Sequence, residues 1–304
     1  MGRHLRIGTN ENQPTGTTQV RPYLTLSSTS PIDPGKSINS NILEANSTGV
    51  SNYNAMWAVL SKNMSHGLEF NVNYEWAKSM DLNSLGSQGG YVLQDSNNPR
   101  LNYGLSDFDV RNHFAGTALY SLPFKRNRLV SGYQLSSIVQ YQTGNPVNIT
   151  TNSSTYNGLS GLAIVHPTQL APIVTEKIQQ GGATNVSFIQ STQTCTLTTT
   201  APGCVFQIQE AGTTYTGLGT MQRNSVTGPG FADVDLSGEK DTKLFEGLNF
   251  NLRVDAFDIL NHPNFGQPSG NVQSSTFGQI TATRFATSDG GSSRQLQISG
   301  KFVF

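Results

Sequence analysis

Apolar and polar residues alternate one by one along much of the chain, and helical spacing is almost absent. The end, QLQISGKFVF, sets Leu296, Ile298, Gly300, Phe302 and Phe304 against Gln295, Gln297, Ser299 and Lys301. Side chains of a strand point to opposite faces in turn, so this is a strand with one oily and one polar side. Residues 67–78 are the clearest internal case. Leu68, Phe70, Val72, Tyr74 and Trp76 oppose Glu69, Asn71, Asn73 and Glu75. Residues 52–60 alternate around Tyr53, Ala55, Trp57 and Val59 as their apolar set. Residues 107–122 set Phe114, Gly116, Ala118 and Tyr120 on one side. In 132–143, Tyr133, Leu135, Ser137, Val139 and Tyr141 oppose Gln134, Ser136, Gln140 and Gln142. Residues 231–242 and 248–261 form a further hairpin, in which Phe250, Leu252, Val254 and Ala256 oppose Asn249, Asn251, Arg253 and Asp255.

The connections alternate between short and long. Short ones fall at 61–66, 123–131 and 243–247; long ones at 79–106, 144–229 and 262–293. A soluble sandwich has no reason to sort its loops this way. An outer-membrane barrel does, because short turns face the periplasm and long loops face outward. Parity then sends the last strand inward, with Phe304 at the periplasmic rim. FGQITAT (277–283) would break that parity if it spanned the membrane, so it is assigned to the outer loop as a short strand extension. Tyr74, Trp76, Tyr120, Tyr133 and Tyr141 lie near strand ends, where a lipid–water interface favours aromatic rings. The competing reading is a secreted soluble β-sandwich with ordinary core aromatics.

Composition supports a wall that needs little core. Charged residues are 12% and hydrophobic ones 35% of the 304, with 31 glycines; soluble domains carry about 25% charge. The 19 basic and 19 acidic residues balance, which gives no reason to expect nucleic acid as a partner. No run reaches about 18 apolar residues, so no transmembrane helix is predicted. The start, MGRHLRIGTNENQ, lacks the apolar core of a signal peptide.

Little in the sequence reads as chemistry. The five histidines show no metal-ligand spacing, and no cofactor or enzymatic activity is expected. His113 shares its face with Asp109 and Arg111. Arg253 and Asp255 lie opposite a strand carrying Asp233 and Asp235. Both groups read as a polar ladder lining the inner wall, the last four pairing across it. Cys195 and Cys204 sit in the longest loop, in CTLTTTAPGC. An oxidising exterior favours a disulfide there; two free thiols or half a metal site are the alternatives.

Five segments in order resemble the large Oar-like, TonB-dependent outer-membrane receptors of the carboxypeptidase-regulatory-like type, abundant in acidobacteria. They are NYNAMWAVLSKNMSHGLEFNVNYEWAKSMD, GLSDFDVRNHFAGTALYSLPF, GYQLSSIVQYQTGNPVNI, RNSVTGPGFADVDLSGEKDTKLFEGLNFNLRVDAFDILNHPNFGQP and RQLQISGKFVF. The resemblance implies an all-β fold: an antiparallel transmembrane β-barrel segment, about 7–8 strands of a barrel of about 22. The expected organisation is a strand remnant at 1–8, an outer loop at 9–51, four strands in 52–143, an outer loop at 144–229 and three strands in 230–304. The plug and N-terminal domain would lie outside this chain, a fragment of a longer protein. The resemblance further implies TonB-dependent uptake of a bulky nutrient, such as a siderophore or glycan, and coupling to the TonB complex through the missing N-terminal part. It implies recognition of Phe302 and Phe304 by the barrel assembly machinery. A surface or adhesion protein of the outer membrane is the alternative.

Overall fold

Eight strands form the frame of the molecule. A computed structural model describes residues 2–13, 41–84, 92–124, 127, 129–152, 163–175, 186–196, 202–209, 218–284 and 293–304. The rest of the long connections lies outside the described residues. The strands are β1 (Gly2–Asn10), β2 (Leu43–Ser65), β3 (Leu68–Asp81), β4 (Asn112–Ser121), β5 (Tyr133–Gln142), β6 (Phe231–Phe245), β7 (Leu248–Phe257) and β8 (Gln295–Val303). Each pairs antiparallel with its neighbour in that order. The described residues contain no α-helix.

Some boundaries differ from the alternation in the sequence. β1 runs to Asn10 and β2 begins at Leu43, so the loop assigned to 9–51 is trimmed at both ends. The strand assigned to 107–122 begins at Asn112 and ends at Ser121; residues 106–111 fold away as a turn. The turn assigned to 61–66 shrinks to His66 and Gly67, with φ of 53° and 81°. Two successive positive φ angles mark the tight hairpin turn whose twist matches the strands. At Gly67 an added Cβ would also lie 2.5 Å from the Ser121 carbonyl.

Register settles which side chains share a face. Val72, Tyr74 and Trp76 stand beside Gly116, Phe114 and Asn112. That face continues through Val139 and Tyr141, Val234 and Ala232, then Leu252, Val254, Ile298 and Phe302. β2 requires a correction. Tyr53 pairs with Ser79, Trp57 with Glu75 and Val59 with Asn73, whereas Met56, Ala58 and Leu60 pair with Trp76, Tyr74 and Val72. The apolar set read from 52–60 therefore lies on the polar face. Both faces of this strand are apolar, and alternation alone cannot choose between them.

Among the described residues no second sheet packs on the oily face, and the cap reaches only its outer end. Leu60, Leu296 and Ile298 are 62%, 71% and 73% exposed. At the short-turn end, Lys62 and Lys240 rise from this same face and bend away from it. The Lys62 Nζ donates to the Ser65 and Leu68 carbonyls, both at 2.8 Å. Lys240 donates to the Tyr133 hydroxyl at 3.0 Å and lies 4.3 Å from that ring's centre. Long basic side chains behave so where an apolar zone ends.

The dry core of the molecule lies elsewhere. Ile149, Ile189, Phe206, Val226, Phe277 and Ile280 belong to one buried cluster, all from the long connections. Short ladders tie it together: Pro146–Val147 with Val226–Thr227, Phe206–Ile208 between Thr168–Gln169 and Thr194–Thr196, and Val186–Ser187 with Gln279–Ile280. FGQITAT lies inside this assembly, with Phe277 and Ile280 in the cluster and Gln279–Ile280 as its one short strand. The connections at the long-loop end thus fold into a cap.

The register predicts unequal costs for charge at adjacent positions. In lipid vesicles, Leu60→Arg should destabilise the protein by about 2–4 kcal/mol and Val59→Arg by about 1 kcal/mol or less. Urea titration of folding into vesicles measures both. Equal costs, or the reverse order, would refute the assignment of faces.

Candidate functional site

The cap is latched to the polar face of the wall by one arginine. Arg223 lies three residues before the Val226–Thr227 ladder of the cap and is 4% exposed. Its Nε donates to the Asn102 carbonyl at 3.1 Å. One terminal nitrogen reaches the Asp107 carboxylate at 3.1 Å and Ser84 Oγ at 3.3 Å. The other reaches the Asp81 carbonyl at 2.9 Å and the Asp81 carboxylate. Asp81 ends β3. The planar guanidinium fork suits this many fixed acceptors, as a lysine would not. Asn224 adds bonds of 2.6 Å to Asp107 and to the Leu105 carbonyl. Gly104 is needed for the close approach, since a Cβ there would lie 2.6 Å from the Arg223 carbonyl.

A second contact closes the cap's edge over the wall. Asp109 accepts the Ser79 backbone N–H at 2.5 Å and Arg111 at 3.1 Å. Ser79 and Ser106 share a hydroxyl bond of 2.8 Å. Ala77, Ser79 and Asp81, on the polar face, are buried beneath this turn.

Directly below lies a cavity of about 360 Å³, lined by Tyr53, Glu75, Phe108, Asp109, His113 and Gln142 among others. Tyr53 donates its hydroxyl to Glu75 at 2.5 Å. Trp57, the cross-strand neighbour of Glu75, is 72% exposed beside it. The chamber offers two carboxylates, an imidazole, an amide and aromatic faces. Among the described residues, no three His, Cys, Asp or Glu side chains come together as metal ligands. The arrangement can hold a polar molecule by hydrogen bonds and ring contacts.

Residues 1–297 match the family model of the outer membrane beta barrel domain. The chain belongs to that family. No curated protein matches it. The oily face is therefore the lipid face of an outer-membrane wall, the polar face is the lumen side, and the cap lies at the extracellular end.

The aromatics of the lipid face stand in two rows. Tyr120 and Tyr133 stand at the periplasmic end. Tyr74, Phe114 and Tyr141 form one cross-strand row toward the outer end, with Trp76 beside it 6.0 Å from Arg111. From Tyr133 to Tyr141 the strand advances about 26 Å at roughly 3.3 Å per residue. With a tilt of about 40° that is about 20 Å of membrane, near the ~25 Å apolar band of such barrels. Phe302 packs on Phe250 with ring centres 4.8 Å apart. Phe304 is 95% exposed.

The inner-wall ladder is arranged differently from the reading of the sequence. His113 faces the lumen beside Glu75 and Gln142. Arg253 lies opposite Glu239, not opposite Asp233 or Asp235. Its Nε bonds Asp255, two residues along its own strand, at 2.8 Å. Asp235 accepts the Asp258 backbone N–H at 3.0 Å and so caps the strand end. Cross-strand partners depend on register, which the sequence does not display. In the cap, Cys195 and Cys204 form a disulfide with Cα atoms 5.8 Å apart, beside the buried Val205 and Phe206.

Sequence reasoning missed Arg223. Its partners Asn102 and Asp81 are 121 and 142 residues away, and no local pattern connects them. It also missed His166. This ring is buried in the cap, with Nδ1 2.8 Å from the Ile149 carbonyl and Nε2 without a hydrogen-bond partner. Burial pushes its pKa down, outweighing the Ile149 carbonyl, which acts the other way; the Arg223 charge lowers it further.

Two predictions concern the cap. Arg223→Ala leaves the buried Asp81 charge without its ionic partner, with only the Ser84 hydroxyl beside it, a loss of about 3–5 kcal/mol. Limited proteolysis should cut the cap of this variant while the wall keeps its heat-resistant mobility in gels; an intact cap would contradict the latch. His166 binds a proton more weakly in the closed cap than in the opened one. Its stabilising effect is therefore complete above about pH 6.5 and declines as pH falls below it. The protection of cap amides against hydrogen exchange, corrected for the intrinsic pH dependence of amide exchange, should fall from about pH 7 to 5, and His166→Gln should flatten that dependence. Equal slopes in both proteins would overturn the assignment.

Proposed function

We propose that this chain forms part of the wall, and the extracellular cap, of a TonB-dependent, Oar-like receptor that imports a bulky nutrient without catalysing a reaction. The observation that carries this reading is the latched cap over the lumen chamber. A protein that only displays loops at the surface has no need of a polar chamber on the inner side of its wall. A receptor needs a place where a captured molecule waits beneath the loops. Glu75, Asp109, His113, Tyr53 and Trp57 supply hydrogen bonds and ring faces for such a molecule, a siderophore or glycan.

The edges support a larger barrel. Among the strands of the described sheet β1 pairs with β2 alone, its other edge being met only at Gly8 by a single bridge to Val92, and β8 pairs with β7 alone. Open edges are not tolerated in lipid. β1 runs outward and β8 inward, so an even number of further strands closes the wall with every pair antiparallel. The TonB complex would engage a segment outside this chain, and the barrel assembly machinery would recognise Phe302 and Phe304 on β8.

The test uses the full-length gene product in detergent and the purified periplasmic domain of TonB. The receptor reading predicts saturable binding, and loss of nutrient uptake by cells lacking TonB. No binding, together with loss of surface attachment when the gene is deleted, would replace it with the adhesion reading.

A further inference from the structure

A second cavity, of about 660 Å³, lies where the cap meets the outer end of the wall. Its size is in the ~300–1,000 Å³ range of ligand pockets. Two of its walls, Tyr141 and Ala232, belong to the lipid face, side by side across β5 and β6. Others, Phe188, Pro263 and Phe265, come from the cap connections. Among the described residues that line it, Tyr141, Thr175 and His262 carry polar side-chain groups and none is a carboxylate, lysine or arginine; Phe231, from the lumen face of β6, lines it as well.

The chain builds this opening with a specific device. β7 ends at Phe257 and its pairing with β6 begins only at Leu236, which leaves the outer end of β6 with β5 on one side and no strand on the other. Asn264 takes that place: its side chain accepts the Ala232 N–H at 2.9 Å and donates to the Ala232 carbonyl at 3.0 Å. Satisfying the backbone through a side chain removes the penalty of a bare edge and leaves room above Ala232 for the cavity. Gly228 and Gly230 also line it.

We propose that the cavity holds the end of an acyl chain of an outer-leaflet lipid. The lipid face and the cavity share Tyr141 and Ala232, so a chain already lying on the wall reaches it by bending outward past the Tyr141 row. A chain end placed here touches barrel and cap together, and ties the cap to the membrane as Arg223 ties it to the lumen wall.

The experiment uses the full chain in vesicles of outer-membrane lipids containing a phospholipid with a diazirine near its acyl terminus. After illumination, mass spectrometry locates the adducts. The proposal predicts adducts on the cap peptides carrying Phe188 and Phe265, as well as on wall residues such as Leu252. Ala232→Phe fills the cavity and should lower the cap adducts about tenfold, equivalent to about 1.4 kcal/mol, with wall adducts unchanged. Ser137→Phe, also on the lipid face but outside the cavity, should leave both unchanged. Wild-type adducts confined to the wall would overturn the proposal, and so would cap adducts undiminished by Ala232→Phe. Should Ala232→Phe fail to fold, the wild-type map alone decides.

Discussion

Hydrocarbon accepts neither unpaired backbone groups nor charge, and the rest of the molecule follows from that constraint. A membrane wall made of strands must pair its N–H and C=O groups laterally, because lipid offers them nothing. Its outward side chains need only be apolar, since packing against a second sheet is not required. This explains why Leu296 and Ile298 stand exposed in a well-formed strand. It explains why Lys62 and Lys240, though rooted on the oily face, turn their amines toward the periplasmic end. It also explains a chain that is both poorly charged and only 35% hydrophobic.

The energetic division of labour is unusual for a β-protein. The wall has lateral hydrogen bonds but no dry protein core. The conventional core, around Phe206 and Ile189, lies in the extracellular cap. That core, the disulfide and the Arg223 latch hold long polar connections in one arrangement. The latch is ionic and largely buried, so its strength depends on keeping both partners together.

Much of the wall is legible in the sequence because its period is two and its short turns carry Gly67 and Gly247. The lipid face of 67–78 and of the last strand can be read directly. β2 cannot, because Tyr53, Trp57 and Val59 are as apolar as Met56, Ala58 and Leu60; only pairing with Glu75 and Asn73 separates them. The chamber and latch are illegible for a related reason. They join Tyr53 to Glu75, and Arg223 to Asp81, by register and by long-range closure. The cap's short ladders escape notice because two-residue strands leave no periodic trace. The resemblance to Oar-like receptors rests partly on RNSVTGPG and SDFD. In the folded chain those stretches have a physical role, since they carry Arg223, Asp107 and Asp109 to the inner end of the cap.

The most direct test of the account is to find what bathes the oily face. Spin labels placed singly along residues 68–76 in vesicles report contact with oxygen, which dissolves in lipid, and with a polar nickel chelate, which stays in water. The account predicts high oxygen and low nickel contact at Leu68, Phe70, Val72 and Tyr74, reversed at Glu69, Asn71 and Asn73. Low contact with both reagents at Phe70 and Val72 would mean a dry protein interior, and would contradict the membrane wall.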